Sequence, residues 1–171
     1  MKYFDIAHNV INQVDESLIY QMYALLKTLN QQEGSLFCIG NGGSNSLAGH
    51  FATDVSSKYQ SIRVFAITDS ALITRIANDF GYENVFLRAI CGIIKSGDMV
   101  VAFSSSGESE NVIRAVEMAK NKDAVIVTFT GFKETNCLKK LGDINFWIDS
   151  DDYGIVESCH TLLFHKITQG I

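Results

Sequence analysis

The sequence predicts an α/β fold, in which a parallel sheet is covered by helices on both faces. Short apolar runs alternate with amphipathic, helix-like segments along most of the chain. The runs are almost continuously apolar, which is typical of strands buried on both faces of a parallel sheet. The chain has 171 residues, enough to bury a substantial core. We therefore expect a three-layer α/β/α sandwich.

The chain is predicted to begin with helices and to continue as strands that alternate with helices. Residues 1–33 carry apolar side chains at helical spacing, and Gly34 is expected to stop this N-terminal helical segment. Residues 34–171 then form the α/β core, so residues 1–171 are predicted to be one domain. Five strands are predicted, at 36–40, 62–67, 98–103, 124–130 and 144–148. Helices are predicted near 45–57, 71–78, 83–95, 109–121, 135–141 and 155–169. Five such strands suit a doubly wound, flavodoxin-like layer, whose strand order the sequence leaves open.

Composition excludes several classes of protein. The net charge of −5 argues against nucleic acid as a direct partner, because phosphate backbones are bound by local positive charge. No apolar run approaches the roughly 20 residues of a membrane span, and the N-terminus does not have the pattern of a secretory signal. The four cysteines show no C-x-x-C spacing, so a reducing cytoplasm is the expected compartment.

Two small-residue turns follow strands and precede helices. In open α/β sheets the ligand site lies beyond the carboxyl ends of the strands, which is where both turns fall. A helix start offers unpaired amides with partial positive charge, and hydroxyl side chains add further donors. Serines at a helix start can also be ordinary N-caps, which is the alternative interpretation. The candidate ligand-binding residues are Asn41, Gly42, Gly43 and Ser44 of "IGNGGSNS" and Ser104, Ser105, Ser106 and Ser109 of "SSSGES".

The glycine turn does not match a nucleotide site. "GNGGSN" lacks the lysine of a P-loop and the spacing of the dinucleotide motif G-x-G-x-x-G. The second predicted strand does not end in an acidic residue, since Asp69 lies beyond it. A single phosphate group held by hydroxyls and amides fits these turns better than a nucleotide.

Several blocks together resemble the SIS (sugar isomerase) domain family, and within it the phosphoheptose isomerases. The blocks are "GNGGS", "GHFATD", "NDFGY", "SSSGESENV" and "SDDYGIVESCHTLLFH", in this order over roughly residues 35–168. The resemblance implies a five-stranded flavodoxin-like sheet, a homotetramer with active sites between subunits, and a phosphorylated sugar as ligand. It implies that the serine loop holds the phosphate, and that Asn41, Gly42, Gly43, Asn78 and Asp79 contact the substrate. The expected reaction converts sedoheptulose 7-phosphate to a glycero-manno-heptose 7-phosphate, a step of lipopolysaccharide or capsule heptose biosynthesis.

Carboxylate and imidazole side chains supply the chemistry that such a reaction needs. An aldose–ketose isomerase moves a proton between adjacent carbons through an enediol, with a base at carbon and an acid or metal at oxygen. Asp54 or Glu157 is predicted to be the base and His165 the acid. His50, Asp54, Glu157 and His165 also form a candidate zinc set, because zinc accepts nitrogen and oxygen ligands. For His160 the sequence leaves two interpretations open, a structural histidine and a ligand.

The spacing of two of these candidates constrains the site. Glu157 and His165 are eight residues apart, about 12 Å along a helix axis. Either the last helix begins after Glu157, or a neighbouring subunit completes the site. The second alternative agrees with the long apolar stripes of the N-terminal helices, which need a covering surface, although packing onto their own domain would cover them as well.

Three positions depart from the family pattern. Asp54 stands where the family usually has glutamate, Glu157 where it has glutamine, and Ile155 where it has arginine. These departures leave a second hypothesis open, in which the protein is a non-catalytic SIS domain that binds sugar phosphates or acts as an adapter of the initiator-associating type. Retention of four ligand-type side chains favours the enzyme.

Overall fold

A computed structural model describes residues 2–169. The helices are α1 (Tyr3–Ile11), α2 (Ser17–Gln31), α3 (Gly42–Lys58), α4 (Ser70–Phe80), α5 (Val85–Ile90), α6 (Glu110–Lys120), α7 (Cys137–Leu141) and α8 (Tyr153–Gln169). The strands are β1 (Ser35–Gly40), β2 (Arg63–Ala66), β3 (Met99–Ser104), β4 (Val125–Thr130) and β5 (Ile144–Trp147). A single 3₁₀ turn, Tyr82–Asn84, precedes α5.

The five strands form one parallel sheet in the order β2-β1-β3-β4-β5. The predicted flavodoxin-like sandwich is confirmed, and the strand order that the sequence left open is now known. The order of the chain reverses between the adjacent strands β1 and β3, where Gly40 pairs with Phe103. Loops that leave β1 and β3 turn to opposite faces of the sheet, and the crevice between them is the usual ligand site of such folds.

Side chains of the central strands β1 and β3 alternate between two hydrophobic cores. On β1, Leu36 and Cys38 join the core that lies under α2, α3 and α8. Phe37 and Ile39 face the core that lies under α4, α5 and α6. All four side chains are fully buried, which explains why the predicted strands read as continuous apolar runs.

Helix boundaries differ from the predictions at several points. The helix predicted at 83–95 is a 3₁₀ turn followed by the six-residue α5, because the chain turns at 91–97 toward β3. Helix α2 stops near Gly34 as predicted, but Glu33 takes the left-handed conformation, with a φ of 52°. Gly34 donates its N–H to the carbonyl of Leu29 and packs directly on that side chain, which leaves no room for a Cβ.

Helix α3 begins at Gly42, not near residue 45, so most of the predicted glycine loop is the first turn of a helix. Gly42 has a φ of 54°, a conformation that glycine adopts without strain and that allows the sharp turn out of β1. The first amides of α3 therefore lie directly at the carboxyl edge of the sheet. Within residues 2–169, no helix is both long and apolar enough to cross a bilayer.

Candidate active site

A cavity of about 290 Å³ opens at the carboxyl ends of β1 and β3. Both predicted turns contribute to its wall, as does the start of α8. Its lining residues are Asn41, Gly42, Gly43, Ser44, Ser104, Ser105, Ser106, Ser109, Tyr153 and Glu157. We call this cavity the serine pocket. All eight candidates from the two turns thus lie around one space.

The serine loop is shaped by Gly107, whose φ of 66° turns the chain from β3 toward α6. The Gly107 N–H donates to the carbonyl and the hydroxyl of Ser104, at 3.0 and 3.2 Å. The Ser104 hydroxyl in turn donates to Ser109 Oγ at 3.3 Å, and Ser106 Oγ accepts from the backbone of the loop. The loop therefore holds three of its hydroxyls in fixed positions.

Ser105 is the exception among the loop serines. Its Oγ is buried and has no hydrogen-bond partner among residues 2–169. A buried polar group without a partner is costly, and native structures normally satisfy it. The side chain lines the serine pocket, so a bound ligand is one partner that could satisfy it. N-capping alone does not account for this hydroxyl.

The glycine end of the serine pocket carries partial positive charge. Asn41 precedes the first turn of α3 and makes no side-chain capping bond, so the first amides of that helix remain free to bind an anion. A Cβ on Gly43 would lie 2.5 Å from Glu157 Oε2 and 2.7 Å from Oε1. The Glu157 carboxylate thus lies directly against Gly43. Only glycine at position 43 leaves room for the carboxylate there.

A second cluster lies further along α3 and α8. His50 Nε2 is 3.7 Å from Asp54 Oδ1, and His165 Nδ1 is 3.3 Å from Asp54 Oδ2. The Thr168 hydroxyl donates to the same Oδ2 at 3.2 Å. One ligand atom from each of His50, Asp54 and His165 lies within 4.8 Å of the others, and His50 is half-exposed. We call these three residues the His–Asp cluster.

The His–Asp cluster fits a zinc ion by its chemistry. Two imidazole nitrogens and one carboxylate oxygen are a common protein donor set for zinc, with a fourth position left for water or substrate. His165 Nδ1 is buried, and in the described residues it has no hydrogen-bond partner despite its closeness to Asp54. An unpartnered imidazole nitrogen beside a carboxylate is the arrangement that a metal ion would satisfy.

Glu157 does not join this cluster in the chain. Helix α8 begins at Tyr153, so Glu157 and His165 lie on one helix, and the alternative in which the helix starts after Glu157 is wrong. The aspartate at 152 caps α8 by accepting the Ile155 N–H at 3.0 Å, which sets this early start. The predicted four-residue zinc set is therefore divided within one subunit, with Glu157 in the serine pocket.

Two other predicted residues lie apart. Asn78 and Asp79 are exposed near the end of α4, where the Asn78 amide donates to the Asp79 carboxylate at 2.9 Å. They do not line the serine pocket of their own subunit.

His160 is fully buried, with Nε2 3.1 Å from the Thr130 carbonyl, and burial lowers its pKa from 6.5 to about 4. Its position supports the structural interpretation.

Sequence reasoning missed three residues at the site. Tyr153 lines the serine pocket and packs edge-on against Phe132, with ring centroids 4.8 Å apart. Tyr82 and Asn111 both hydrogen-bond to the side chain of Asn41. Tyr82 lies in the predicted "NDFGY" block and Asn111 in "SSSGESENV", but their convergence on Asn41 requires the three-dimensional fold.

Comparisons with known proteins agree with this architecture. The SIS domain matches residues 2–131. A phosphoheptose isomerase of Helicobacter pylori (strain P12) is 34% identical over 91% of this chain and 82% of its own length. One from Aliarcobacter butzleri (strain RM4018) is 33% identical over 94% of this chain and 86% of its own.

A solved structure is also similar. The phosphoheptose isomerase GmhA from Neisseria gonorrhoeae superposes with a TM-score of 0.86 at 27% identity, over 95% of this chain and 89% of that one. The match in sequence and in structure extends over nearly the whole chain, through both turns of the serine pocket. This chain therefore belongs to the SIS domain family, and within it to the phosphoheptose isomerases.

Proposed function

We propose that this protein is an isomerase that interconverts sedoheptulose 7-phosphate and a glycero-manno-heptose 7-phosphate. The observation that carries the proposal is the serine pocket, in which four loop serines and the first turn of α3 surround a space that also contains a carboxylate. Hydroxyls and helix amides bind phosphate, and a carboxylate accepts hydrogen bonds from sugar hydroxyls. The shared family with the phosphoheptose isomerases supports the choice of sugar.

The phosphate is bound by the serine loop. Ser104, Ser105, Ser106 and Ser109 supply hydroxyl donors, and the amides at the start of α3 add backbone donors. The unpartnered Ser105 hydroxyl gains its hydrogen bond when the phosphate binds. Glu157 then accepts from the sugar chain beside the phosphate, so that the substrate extends along α3 and α8.

The His–Asp cluster performs the proton transfers. Asp54 removes the proton from C1 of the ketose, which gives an enediol, and the same proton is returned to C2 of the aldose. His165 moves the proton between the oxygens on C1 and C2, so that no atom is gained or lost. The Thr168 hydroxyl holds the Asp54 carboxylate in place by donating to its Oδ2. When bound to His50, Asp54 and His165, zinc would supply a positive charge for the oxygen that becomes negative.

A homo-oligomer, in the form of a tetramer, is part of the proposal. Large apolar side chains are exposed on α1, α2 and α8, namely Tyr3, Phe4, Tyr20, Tyr153 and Leu162. An exposed apolar surface of this kind is typical of an interface. A neighbouring copy placed there would also cover the serine pocket beside Tyr153, and it could bring Asn78 and Asp79 to the substrate. The four free cysteines support a reducing, cytoplasmic location.

The test is direct assay of sedoheptulose 7-phosphate conversion by purified protein, with and without added zinc. Turnover that is abolished by Asp54→Asn, while calorimetry still detects binding of the phosphosugar, supports the assignment of roles. Binding without turnover by well-folded wild-type protein in either condition would instead support the non-catalytic sugar-phosphate-binding hypothesis.

A further inference from the structure

A network of three polar side chains spans the crevice between the two turns. Asn41 lies at the start of α3, Asn111 in the first turn of α6, and Tyr82 in the 3₁₀ turn after α4. The amides of Asn41 and Asn111 form a reciprocal pair, with both Nδ2-to-Oδ1 distances at 2.9 Å. The Tyr82 hydroxyl donates to Asn41 Oδ1, also at 2.9 Å. Asn111 is 3% exposed, so the pair is anchored in the protein interior.

The backbone fixes which way these amides are oriented. The Val112 N–H donates to Asn111 Oδ1 at 3.0 Å, so that atom must be the oxygen. Asn41 must then present its Nδ2 to Asn111 Oδ1 and its own oxygen to Asn111 Nδ2. The orientation of Asn41, a residue of the serine pocket wall, is therefore determined by an amide of α6.

The hydrogen bonds that the Asn41 side chain makes within the protein determine which of its groups remain free to bind a ligand. A side-chain amide has two acceptor sites on oxygen and two N–H donors. The oxygen of Asn41 already accepts from Tyr82 and Asn111, and one of its N–H groups donates to Asn111. Asn41 thus has one N–H left and no free acceptor site. At the serine pocket it can only donate, which suits a hydroxyl or carbonyl oxygen of a sugar.

We propose that Asn111 is a positioning residue that acts on the substrate through Asn41, an inference that rests on the proposed function. It fixes the remaining N–H of Asn41 as a donor to the sugar. Tyr82 supports the same orientation from the outer side, and Asn111 does not itself line the pocket.

The experiment compares the binding of a phosphosugar with the binding of inorganic phosphate. Calorimetry measures both dissociation constants for the wild type, Asn111→Ala, Asn41→Ala and the double variant, and steady-state assays give KM and kcat. We expect Asn111→Ala to weaken sedoheptulose 7-phosphate binding about tenfold, the effect of one lost hydrogen bond to a ligand, with little change for phosphate. The double variant should be no worse than Asn41→Ala, because the two residues act as a unit.

A matched control separates positioning from stability. The fully buried Thr128 of β4 donates its hydroxyl to Asn145 Oδ1 of β5 at 2.6 Å, in a side-chain pair away from the serine pocket. Thr128→Val should lower the melting temperature without changing the ratio of the two dissociation constants. If Asn111→Ala does not fold, Tyr82→Phe takes its place. That variant removes one hydrogen bond to Asn41 and should shift the ratio about threefold.

The outcomes are distinguishable from those of the isomerase proposal. Additive effects of Asn41→Ala and Asn111→Ala, or equal loss of phosphate and phosphosugar binding, would overturn the positioning role. A wild type that binds the phosphosugar without converting it refutes isomerisation, while the binding ratio still tests Asn111. A wild type that binds no phosphosugar overturns both.

Discussion

The substitution Gly43→Ala tests the contact between the serine pocket and Glu157. The added Cβ would lie 2.5 Å from Glu157 Oε2, whereas an ordinary carbon–oxygen contact is about 3.3 Å. The carboxylate must therefore move by roughly 0.8 Å, which it can do because it is the free end of a flexible side chain. Glu157 positions the sugar in the proposed function, and a misplacement of about 1 Å can cost on the order of a hundredfold in rate, so we expect kcat/KM to fall by up to about that factor.

The thermal stability of the Gly43→Ala variant should not fall with its activity. Gly43 lies in the first turn of α3 and does not have a positive φ, so alanine is compatible with its backbone. Replacing a helical glycine by alanine stabilises a helix by up to about 1 kcal/mol. We expect the melting temperature of Gly43→Ala to be unchanged or raised, while activity is lost.

Gly49 provides the matched control on the same helix. A Cβ there would meet Thr68 Cγ2 at 3.4 Å, an ordinary contact, so Gly49→Ala should stabilise the protein and leave kcat/KM unchanged. The assays are thermal unfolding and isomerase kinetics on both variants, with Gly43→Ala also combined with Glu157→Ala. Loss of activity that adds fully to that of Glu157→Ala would refute the reasoning, because the two changes are expected to act through one carboxylate.

Three further predictions concern charged and titratable groups. His160 has a folded pKa of about 4 against an ordinary 6.5, so its contribution to stability is present above pH 6.5 and is lost as pH falls through 4. That loss is about 3 kcal/mol in denaturant unfolding, and His160→Gln should not show it. Glu157→Gln removes a negative charge from the serine pocket, so calorimetry should find phosphate bound about fivefold more tightly, whereas unchanged affinity would contradict the placement. Asp54→Asn should reduce bound zinc measured by mass spectrometry from about one ion per chain to almost none, and kcat by about a hundredfold or more. Full zinc content in that variant would exclude the His–Asp cluster as the metal site.

The sequence was sufficient to predict the sheet because its central strands β1, β3 and β4 are buried on both faces. Burial on both faces requires apolar residues at every position, and that pattern is local. Strand order could not be predicted, since it depends on the pairing of β1 with β3, whose partners, such as Leu36 and Met99, are far apart in the sequence. The start of α3 was misplaced because a glycine-rich stretch reads as a loop, whereas Gly42 makes one sharp turn and the helix begins at once.

The candidate site was predictable where its residues are neighbours in sequence. The loop serines and the start of α3 come to one pocket because β1 and β3 are adjacent at the switch of strand order. Asn111 and Tyr82 could not be identified in this way, because each reaches Asn41 from a different element. Spacing on α8 indicated that Glu157 and His165 are far apart, but not that Glu157 would lie against Gly43.

The separation of the two halves of the site has a consequence for the substrate. Helices α3 and α8 run side by side in the same direction, since Gly43 contacts Glu157 near their starts and His50 packs on His165 further along, with ring centroids 4.9 Å apart. Seven residues from Gly43 to His50 correspond to about 10 Å along α3. An extended carbon chain advances about 1.2 Å per bond, so the six bonds of a heptose and its phosphate ester span roughly 10 Å. If the serine loop holds the phosphate as proposed, a heptose phosphate is long enough to extend along α3 to the level of His50, whereas a triose phosphate is too short. We therefore expect the enzyme to convert heptose phosphates and not triose phosphates, even though the phosphate contacts would accept either.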